Sequence, residues 1–430
     1  MKKTISIFLA CSLVLLLCAC GTGEIYIHDA PDSATPAPAV TAEPEIAVIE
    51  PDPDVIAVLG APVVLGVSNK TESYKAPDGS DRVILTYGYD AAHVYLENNA
   101  SAADRINQYL ALQDEIYYSG SDSVEGVNVY LEQATDNYTY VVGSGLNNSV
   151  EFSCVRSVSV ERGDSRILSL RYRTNSYTGG THGLYVDRCY VFDVSNGILL
   201  TLDDLSEDRA ALEQLLLDQM LRTVNDDVRY QPLLAYIEQF AGADPESALK
   251  ALIREGSWTL SNKGLAVFSD IYEIGSYADG IVRFTVPYEE LTGVLREEWM
   301  PVERPADGSL SIVSLDELAS GSLHLLDRIS VSDYDQEFCV YAQGTVYDIS
   351  VDTVTYIDDD TGFYPTETHW YCSYLSDNGI QIKTSIPDGM PDLLIRTADA
   401  AGQTHSFLVT QSGEDGSVLL LEEARVVAVG

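Results

Sequence analysis

The sequence predicts an α+β fold: an antiparallel sheet with packed helices, followed by a C-terminal all-β, sandwich-like domain. Three observations predict it. Between Val55 and about Ser322, segments with a period of two alternate with segments of helical spacing. Over residues 323–430 only short alternating segments recur, with turn residues between them. The one long apolar run lies at the extreme N-terminus, which excludes a polytopic membrane protein.

Each element follows from local chemistry. Arg82–Tyr89 reads as a strand with Val83, Leu85 and Tyr87 on one face. Ser101 suits the cap of a helix carrying Ile106, Leu110, Ile116 and Tyr117, and a second helix is expected over Ser123–Ala134. Strands are expected at about Cys154–Glu161, Ile167–Arg173 and Tyr185–Asp193. Glu161-Arg162-Gly163-Asp164 reads as a turn that makes the first two a hairpin, and Asn196-Gly197 as another turn. Ser206 is expected to cap the helix Glu207–Val224, where Leu212, Leu215, Leu216 and Met220 share a face. Asp244-Pro245-Glu246 opens one more helix, with Pro at the first helical position. Trp258–Leu260, Leu265–Phe268 and Ile281–Val286 are expected to complete a sheet, and Pro287 to lead into a helix over Tyr288–Glu297. The C-terminal strands are Phe338–Tyr341, Val346–Val351, Trp370–Leu375, Ile380–Ser385, Leu393–Thr397, Ser406–Thr410, Val418–Leu421 and Ala424–Val429. Asp377-Asn378-Gly379 and Glu414-Asp415-Gly416 are turns between them.

The N-terminus reads as an address. Met1-Lys2-Lys3 supplies positive charge, Ile5 to Leu17 is a short apolar stretch, and small Ala19 precedes Cys20, as in a secretory signal peptide. Leu17-Cys18-Ala19-Cys20 resembles the bacterial lipoprotein box. That resemblance implies a signal over residues 1–19, cleavage after Ala19, a diacylglyceryl group on Cys20 and an extracytoplasmic, membrane-anchored protein. The alternative reading is an uncleaved anchor. Residues 21–54 hold eight acids, no Lys or Arg, and six of the 16 prolines. They cannot bury a core, so residues 20–54 read as a lipidated cysteine and an extended tether. The folded part then divides into 55–322 and 323–430.

Charge excludes whole classes of partner. The chain has 25 Lys+Arg and 66 Asp+Glu, a formal −41, which becomes −43 once the signal and its two lysines are removed. Nucleic acids and anionic lipid headgroups, which need Lys and Arg, are poor partners for it. Four cysteines remain after the signal and Cys20: Cys154, Cys189, Cys339 and Cys372. An even number outside the cytoplasm permits two disulfides with three connectivities. Pairing within each half, Cys154–Cys189 and Cys339–Cys372, is the simplest, and buried free thiols are the alternative.

Two stretches carry a further resemblance. One runs from Leu170-Arg171-Tyr172 through Tyr177-Thr178-Gly179-Gly180-Thr181-His182-Gly183 to Tyr190-Val191-Phe192-Asp193 and Gly197–Leu205. The other runs from Leu265-Ala266-Val267-Phe268 through Tyr272-Glu273-Ile274 and Tyr277-Ala278-Asp279-Gly280 to Phe284–Leu291. Together they resemble a family of extracytoplasmic bacterial domains, over roughly residues 80–300. That family includes the lysozyme-sensing outer half of the anti-sigma factor RsiV and the N-terminal module of the peptidoglycan deacetylase PdaC. The resemblance implies a ligand-binding module, with a lysozyme-type muramidase or peptidoglycan as partner.

Read from the residues alone, Gly179, Gly180, His182 and Gly183 form a loop between two strands, flanked by Tyr177 and Tyr185. Its glycines allow positive φ or close backbone approach. A tight structural connection and a partner-contacting loop both fit, since binding commonly resides on loops held by a rigid sheet and tyrosine is a frequent interface anchor. No catalytic constellation is visible. Ser247-Ala248-Leu249-Lys250, Ser376-Asp377-Asn378 and Lys383-Thr384-Ser385 mimic penicillin-binding motifs. The last two lie too close together, however, and the third lacks its glycine. There is no P-loop and no G-x-S-x-G, and the six histidines are scattered without metal-ligand spacing. Asp358, Asp359 and Asp360 read as a solvated turn, with a calcium site as the alternative. No cofactor is implied. The expectation is a lipid-anchored surface protein that binds a cationic protein such as lysozyme, or peptidoglycan, without turnover; an unrecognised cell-wall hydrolase is the further alternative.

Overall fold

The structure is a computed structural model. It describes residues 53–146, 150–241, 244–305, 307–313, 315, 318, 323–332, 336–356, 363–386, 393–412 and 416–422. Cys20, the tether up to residue 52, Asp358 to Asp360 and the strand expected at Ala424–Val429 lie outside the described residues.

The chain opens with a short helix α1 (Pro53–Leu59) and a long hairpin, β1 (Val63–Lys75) and β2 (Val83–Leu96). Two helices follow, α2 (Ala100–Ser119) and α3 (Val127–Gly143), and then β3 (Phe152–Gly163), β4 (Ile167–Tyr177), β5 (Leu184–Asp193) and β6 (Ile198–Leu199). Next come α4 (Arg209–Asp226), α5 (Gln231–Tyr236), α6 (Pro245–Lys250), β7 (Trp258–Ser261), β8 (Gly264–Phe268), β9 (Arg283–Pro287) and α7 (Tyr288–Leu291). The remainder is β: β10 (Ser309–Val313), β11 (Leu325–Ser330), β12 (Gln336–Gln343), β13 (Thr345–Tyr356), β14 (Phe363–Ser376), β15 (Gly379–Thr384), β16 (Leu393–Ala398), β17 (Thr404–Gln411) and β18 (Val418–Glu422). The α+β class with a strand-rich C-terminal part is therefore the observed one.

The strands build three sheets. The largest has 11 strands in the order β18-β17-β16-β13-β14-β1-β2-β3-β4-β5-β6, antiparallel except for the β2–β3 pair. A four-stranded sheet, β10-β12-β15-β11, packs against its C-terminal portion as a sandwich. Phe338, Val340, Ile380 and Ile382 meet Val64, Ile349, Val351 and Trp370 in the core between these two sheets. The third sheet, β7-β8-β9, is separate. Its strands do form a sheet, as expected, and that sheet stacks on the main one. Trp258, Leu265, Val267 and Phe284 bury one set of side chains with α4 (Leu212, Leu216, Met220) and with Ile167 and Val191 of the main sheet. The Ser169 and Thr259 hydroxyls, 2.5 Å apart, bridge the two layers.

On the opposite face of β3–β5, α2 buries Ala102, Ala103, Ile106 and Leu110 against Leu65, Val94, Leu168, Leu170 and Phe192. The cap of α2 is Asn99, not Ser101: its side-chain oxygen accepts from the Ala102 N–H at 3.3 Å. The helix over Glu207–Val224 is likewise capped one turn element later, by Asp208 at 3.0 Å from the Ala211 N–H. Ser206 instead accepts from the Asp208 N–H and donates to the Val294 carbonyl. The expected turn at residues 161–164 sits three residues on. Arg162 and Gly163 end β3, and Asp164 makes the turn by accepting from the N–H groups of Arg166 and Ile167. Arg162 is buried and donates to Asp164, the Tyr288 hydroxyl and the carbonyls of Trp299 and Met300.

The two halves of the chain share one sheet. β14 pairs with β1 through Val64↔Cys372, Leu65↔Tyr371 and Gly66↔Trp370. The main sheet also curls, bringing Tyr371 onto the end of β3, where its hydroxyl lies 3.4 Å from the Gly163 carbonyl and 2.7 Å from Asp348.

The expected disulfides are corrected here: all four described cysteines are free and buried. Cys154 and Cys189 lie on β3 and β5 with β4 between them, and their β4 partners, Ser176 and Arg171, are five residues apart. Cys154 faces the α2–α3 side with Tyr87 and Tyr117, whereas Cys189 faces Glu161 and Arg171. For the second pair the obstacle is strand alternation. Phe338 and Val340 point into the core that holds Cys372, so Cys339 between them points away, toward Leu325 and Tyr341. Neither pair can meet the Cβ separation a disulfide needs without rebuilding the sheet.

Candidate binding site

The loop between β4 and β5 is shaped by its glycines. Gly179 and Gly180 have φ of +90° and +104°, a region L side chains rarely enter. The Tyr177 hydroxyl donates to the Gly180 carbonyl at 3.1 Å, folding the first half of the loop onto its own strand. A Cβ on Gly183 would sit 2.7 Å from the Ser176 carbonyl oxygen, so the second half passes tightly over the strand as well.

This geometry projects His182 onto a second loop, residues 269–282, which joins β8 to β9. The imidazole stacks on the Tyr277 ring with centroids 3.7 Å apart and planes 20° apart. His182 Nδ1 lies 3.0 Å from the Gly183 carbonyl, which can only accept, so Nδ1 carries the proton. Nε2 then accepts from the Tyr272 hydroxyl at 3.0 Å. Tyr272 is held at φ +66°, and its carbonyl accepts from the Tyr236 hydroxyl at 3.3 Å. Tyr185 meets Tyr277 edge-on at 6.3 Å, and the Arg173 guanidinium lies 5.4 Å from the Tyr185 ring. The structure thus brings together His182, Tyr185, Tyr272 and Tyr277, from the two stretches singled out in the sequence. It leaves Tyr177, Gly179 and Gly180 outside this ring cluster.

The second loop has a stiff base. Ser276 N–H and hydroxyl both donate to Asp279, at 2.7 and 2.6 Å, closing a capped turn over Tyr277–Asp279. Arg254 grips Glu273 with two bonds of 2.6 and 2.9 Å, and both Arg254 and Arg188 reach Asp270. Above this base Tyr272 is 45% exposed and His182 is exposed, while Tyr185 and Tyr277 are half-buried. The arrangement offers flat ring faces and hydroxyl edges, fixed before any ligand arrives.

Below the cluster, Arg173 bonds Asp187 at 2.7 and 2.9 Å, and Glu161 is gripped by Arg283 at 2.7 Å and Arg171 at 3.1 Å. Burial alone would push the Glu161 carboxyl up. Arg283, then Arg171 and Arg173, outweigh it and hold the carboxyl below its ordinary value near 4.5. Among the described residues no group of three or more His, Cys, Asp or Glu could hold a metal ion. No described helix is long and apolar enough to cross a membrane. In the sequence Tyr272 and Tyr277 belong to the second resembling stretch, with nothing local to mark them as site residues. Only the approach of the two loops gives them that place.

The layer that supplies this second loop also carries the family signal. Residues 204–289 match the family model described as a protein of unknown function, DUF3298. The DUF3298 match spans α4 to the start of α7 and therefore contains Tyr272 and Tyr277 but not His182 or Tyr185. No curated protein matches the chain. Among solved structures, a DUF3298 family member from Bacteroides fragilis is similar at 19% identity and TM-score 0.39, covering 54% of this chain and 94% of that one. A DUF3298 family protein from Pseudomonas aeruginosa is similar at 14% identity and TM-score 0.37, covering 55% and 97%.

Proposed function

We propose that this protein is an extracytoplasmic binding protein, anchored to the bacterial membrane through a lipid on Cys20, that captures a cationic protein of the lysozyme type without chemical turnover. The observation that carries the reading is the His182–Tyr185–Tyr272–Tyr277 cluster, a preformed and partly exposed aromatic surface on a chain of formal charge −41. Aromatic side chains with few rotamers supply contact area at low entropic cost. A strong negative field speeds and orients the encounter with a basic partner. The likeness to lysozyme-sensing domains noted in the sequence names the candidate partner.

The same rings also suit stacking of sugars, so peptidoglycan is the second reading. Salt separates the two. Calorimetry of residues 53–430 with lysozyme at low ionic strength and at ~0.15 M, where screening acts beyond ~8 Å, is the test. Saturable one-to-one binding that persists at the higher salt supports lysozyme capture. Binding that disappears with salt, or that any basic protein reproduces, overturns it. Retention by purified peptidoglycan, insensitive to salt, would favour the second reading.

A further inference from the structure

A second concave site lies at the charged groups below the ring cluster. It is a cleft of about 480 Å³ between β3, β4, β9 and the β7–β8 hairpin, on one side, and β13, β14, β16 and β17 on the other. Its charge runs against that of the chain. Arg171, Lys263, Arg283 and Arg396 line it, against the carboxylates of Glu161 and Asp348.

The groups immediately behind do not cancel this excess. Arg173 pairs with Asp187, Arg304 with Asp348 and Arg396 with Asp352, at 2.7, 2.5 and 2.8 Å. Lining and backing groups together make six cations and four carboxylates, a surplus of two positive charges drawn from a chain with only 25 Lys and Arg. Donors are left over as well. Lys263, exposed at the hairpin tip, makes no ion pair among the described residues. Arg283 uses Nη2 on Glu161, and Arg396 uses Nε and Nη2 on Asp352, so each guanidinium keeps further N–H groups for the cleft. Hydroxyls of Ser159, Thr285 and Thr404 stand among them. A half-buried positive surplus is costly unless an anion completes it, and the low-dielectric walls strengthen that attraction.

We infer that this cleft binds a compact doubly charged oxyanion, the phosphate or paired carboxylates of a small ligand, held between Arg171, Lys263, Arg283 and Arg396. The site is independent of the aromatic cluster, and both halves of the chain contribute to it, as at many ligand sites. Binding there would also tie the C-terminal strands to the β7–β9 layer.

The test uses the purified full-length protein with inorganic phosphate and, separately, succinate, read by calorimetry and by the shift in thermal midpoint. Saturable binding of at least one of the two is expected, with the midpoint rising as the anion is added. Lys263→Glu, at an exposed position without an ion pair, should weaken binding by about tenfold or more, and Lys263→Arg should retain it. Lys383→Glu makes the same charge change on β15, in another sheet, and should leave binding within about twofold. Absence of heat and of midpoint shift up to roughly 20 mM of both anions overturns the proposal. So does an equal loss in Lys263→Glu and Lys383→Glu, which would assign any binding to the overall field. Preference for phosphate over succinate, or the reverse, identifies which oxyanion chemistry the cleft takes.

Discussion

The imidazole of His182 lies flat on the ring of Tyr277, 95 positions later in the chain, with ring centroids 3.7 Å apart. This contact closes the β4–β5 loop over the β8–β9 loop and makes one surface of two. Neither loop alone presents the cluster, because the first supplies only His182 beside Tyr185 and the second carries Tyr272 and Tyr277 on a separate layer.

If that surface is the docking face, Tyr277→Ala should weaken lysozyme binding by about 2 kcal/mol, the scale of an interface anchor. His182→Ala should weaken it too, by freeing the glycine loop. Tyr177→Ala, which removes a ring bonded only within its own loop, should change affinity by less than about 0.5 kcal/mol. Calorimetry on the three variants, with circular dichroism to confirm folding, checks this. Equal losses in all three would show that the cluster has no special role.

The seam between the two halves is testable at Gly163. A Cβ there would lie 2.6 Å from the Tyr371 hydroxyl oxygen, a contact neither the buried ring nor the strand can easily relieve. Gly163→Ala should destabilise the protein by about 1–3 kcal/mol, as overpacking does. The double variant Gly163→Ala with Tyr371→Phe should recover part of that loss. Urea denaturation of the single and double variants measures it, and a single variant as stable as the wild type would refute the contact.

Acid should probe the network around Glu161. Its carboxyl is held below its ordinary value near 4.5 in the folded state, so the stability it contributes is present above that value and lost as pH falls through the folded one. Between about pH 7 and about pH 3 the wild type should therefore lose more thermal stability than Glu161→Gln. The variant should start lower at neutral pH, because Arg171 and Arg283 lose their shared partner. Parallel pH–melting curves would contradict this assignment.

The thiols give a chemical check on the topology. Burial pushes all four up, with Cys339 at about 12, so none is a ready thiolate. Cys154, Cys189, Cys339 and Cys372 should resist a thiol reagent in the native protein and react on unfolding. Reducing agent should leave the melting temperature unchanged. A fall in melting temperature on reduction would mean that a disulfide had formed.

The sequence by itself determined the elements whose cause is local. The alternation of Leu168, Leu170 and Tyr172 with Ser169, Arg171 and Arg173 reads directly as a two-faced strand, and the Leu212–Met220 spacing as the buried stripe of α4. Asp244 before Pro245 signals a helix start by chemistry confined to a few residues, and Asp244 does cap α6. Other local signals were ambiguous. Ser101 is the cap the sequence suggests, but Asn99 takes that place and also donates to the carbonyls of Val194 and Ser195.

Tertiary structure alone decided what depends on distant pairing. β1 has an apolar start and a polar end, and it becomes a strand by pairing with β2 along its length and with β14 at its start. The β7–β9 strands look like any others in sequence, and their stacking as a separate layer follows from which hydrophobic faces meet. The cysteines could be counted but not paired, because alternation and sheet order set the direction of each thiol. The ring cluster and the cationic cleft belong to the same class. Their residues come from segments tens to hundreds of positions apart, so only the closed chain brings together the rings and the charges.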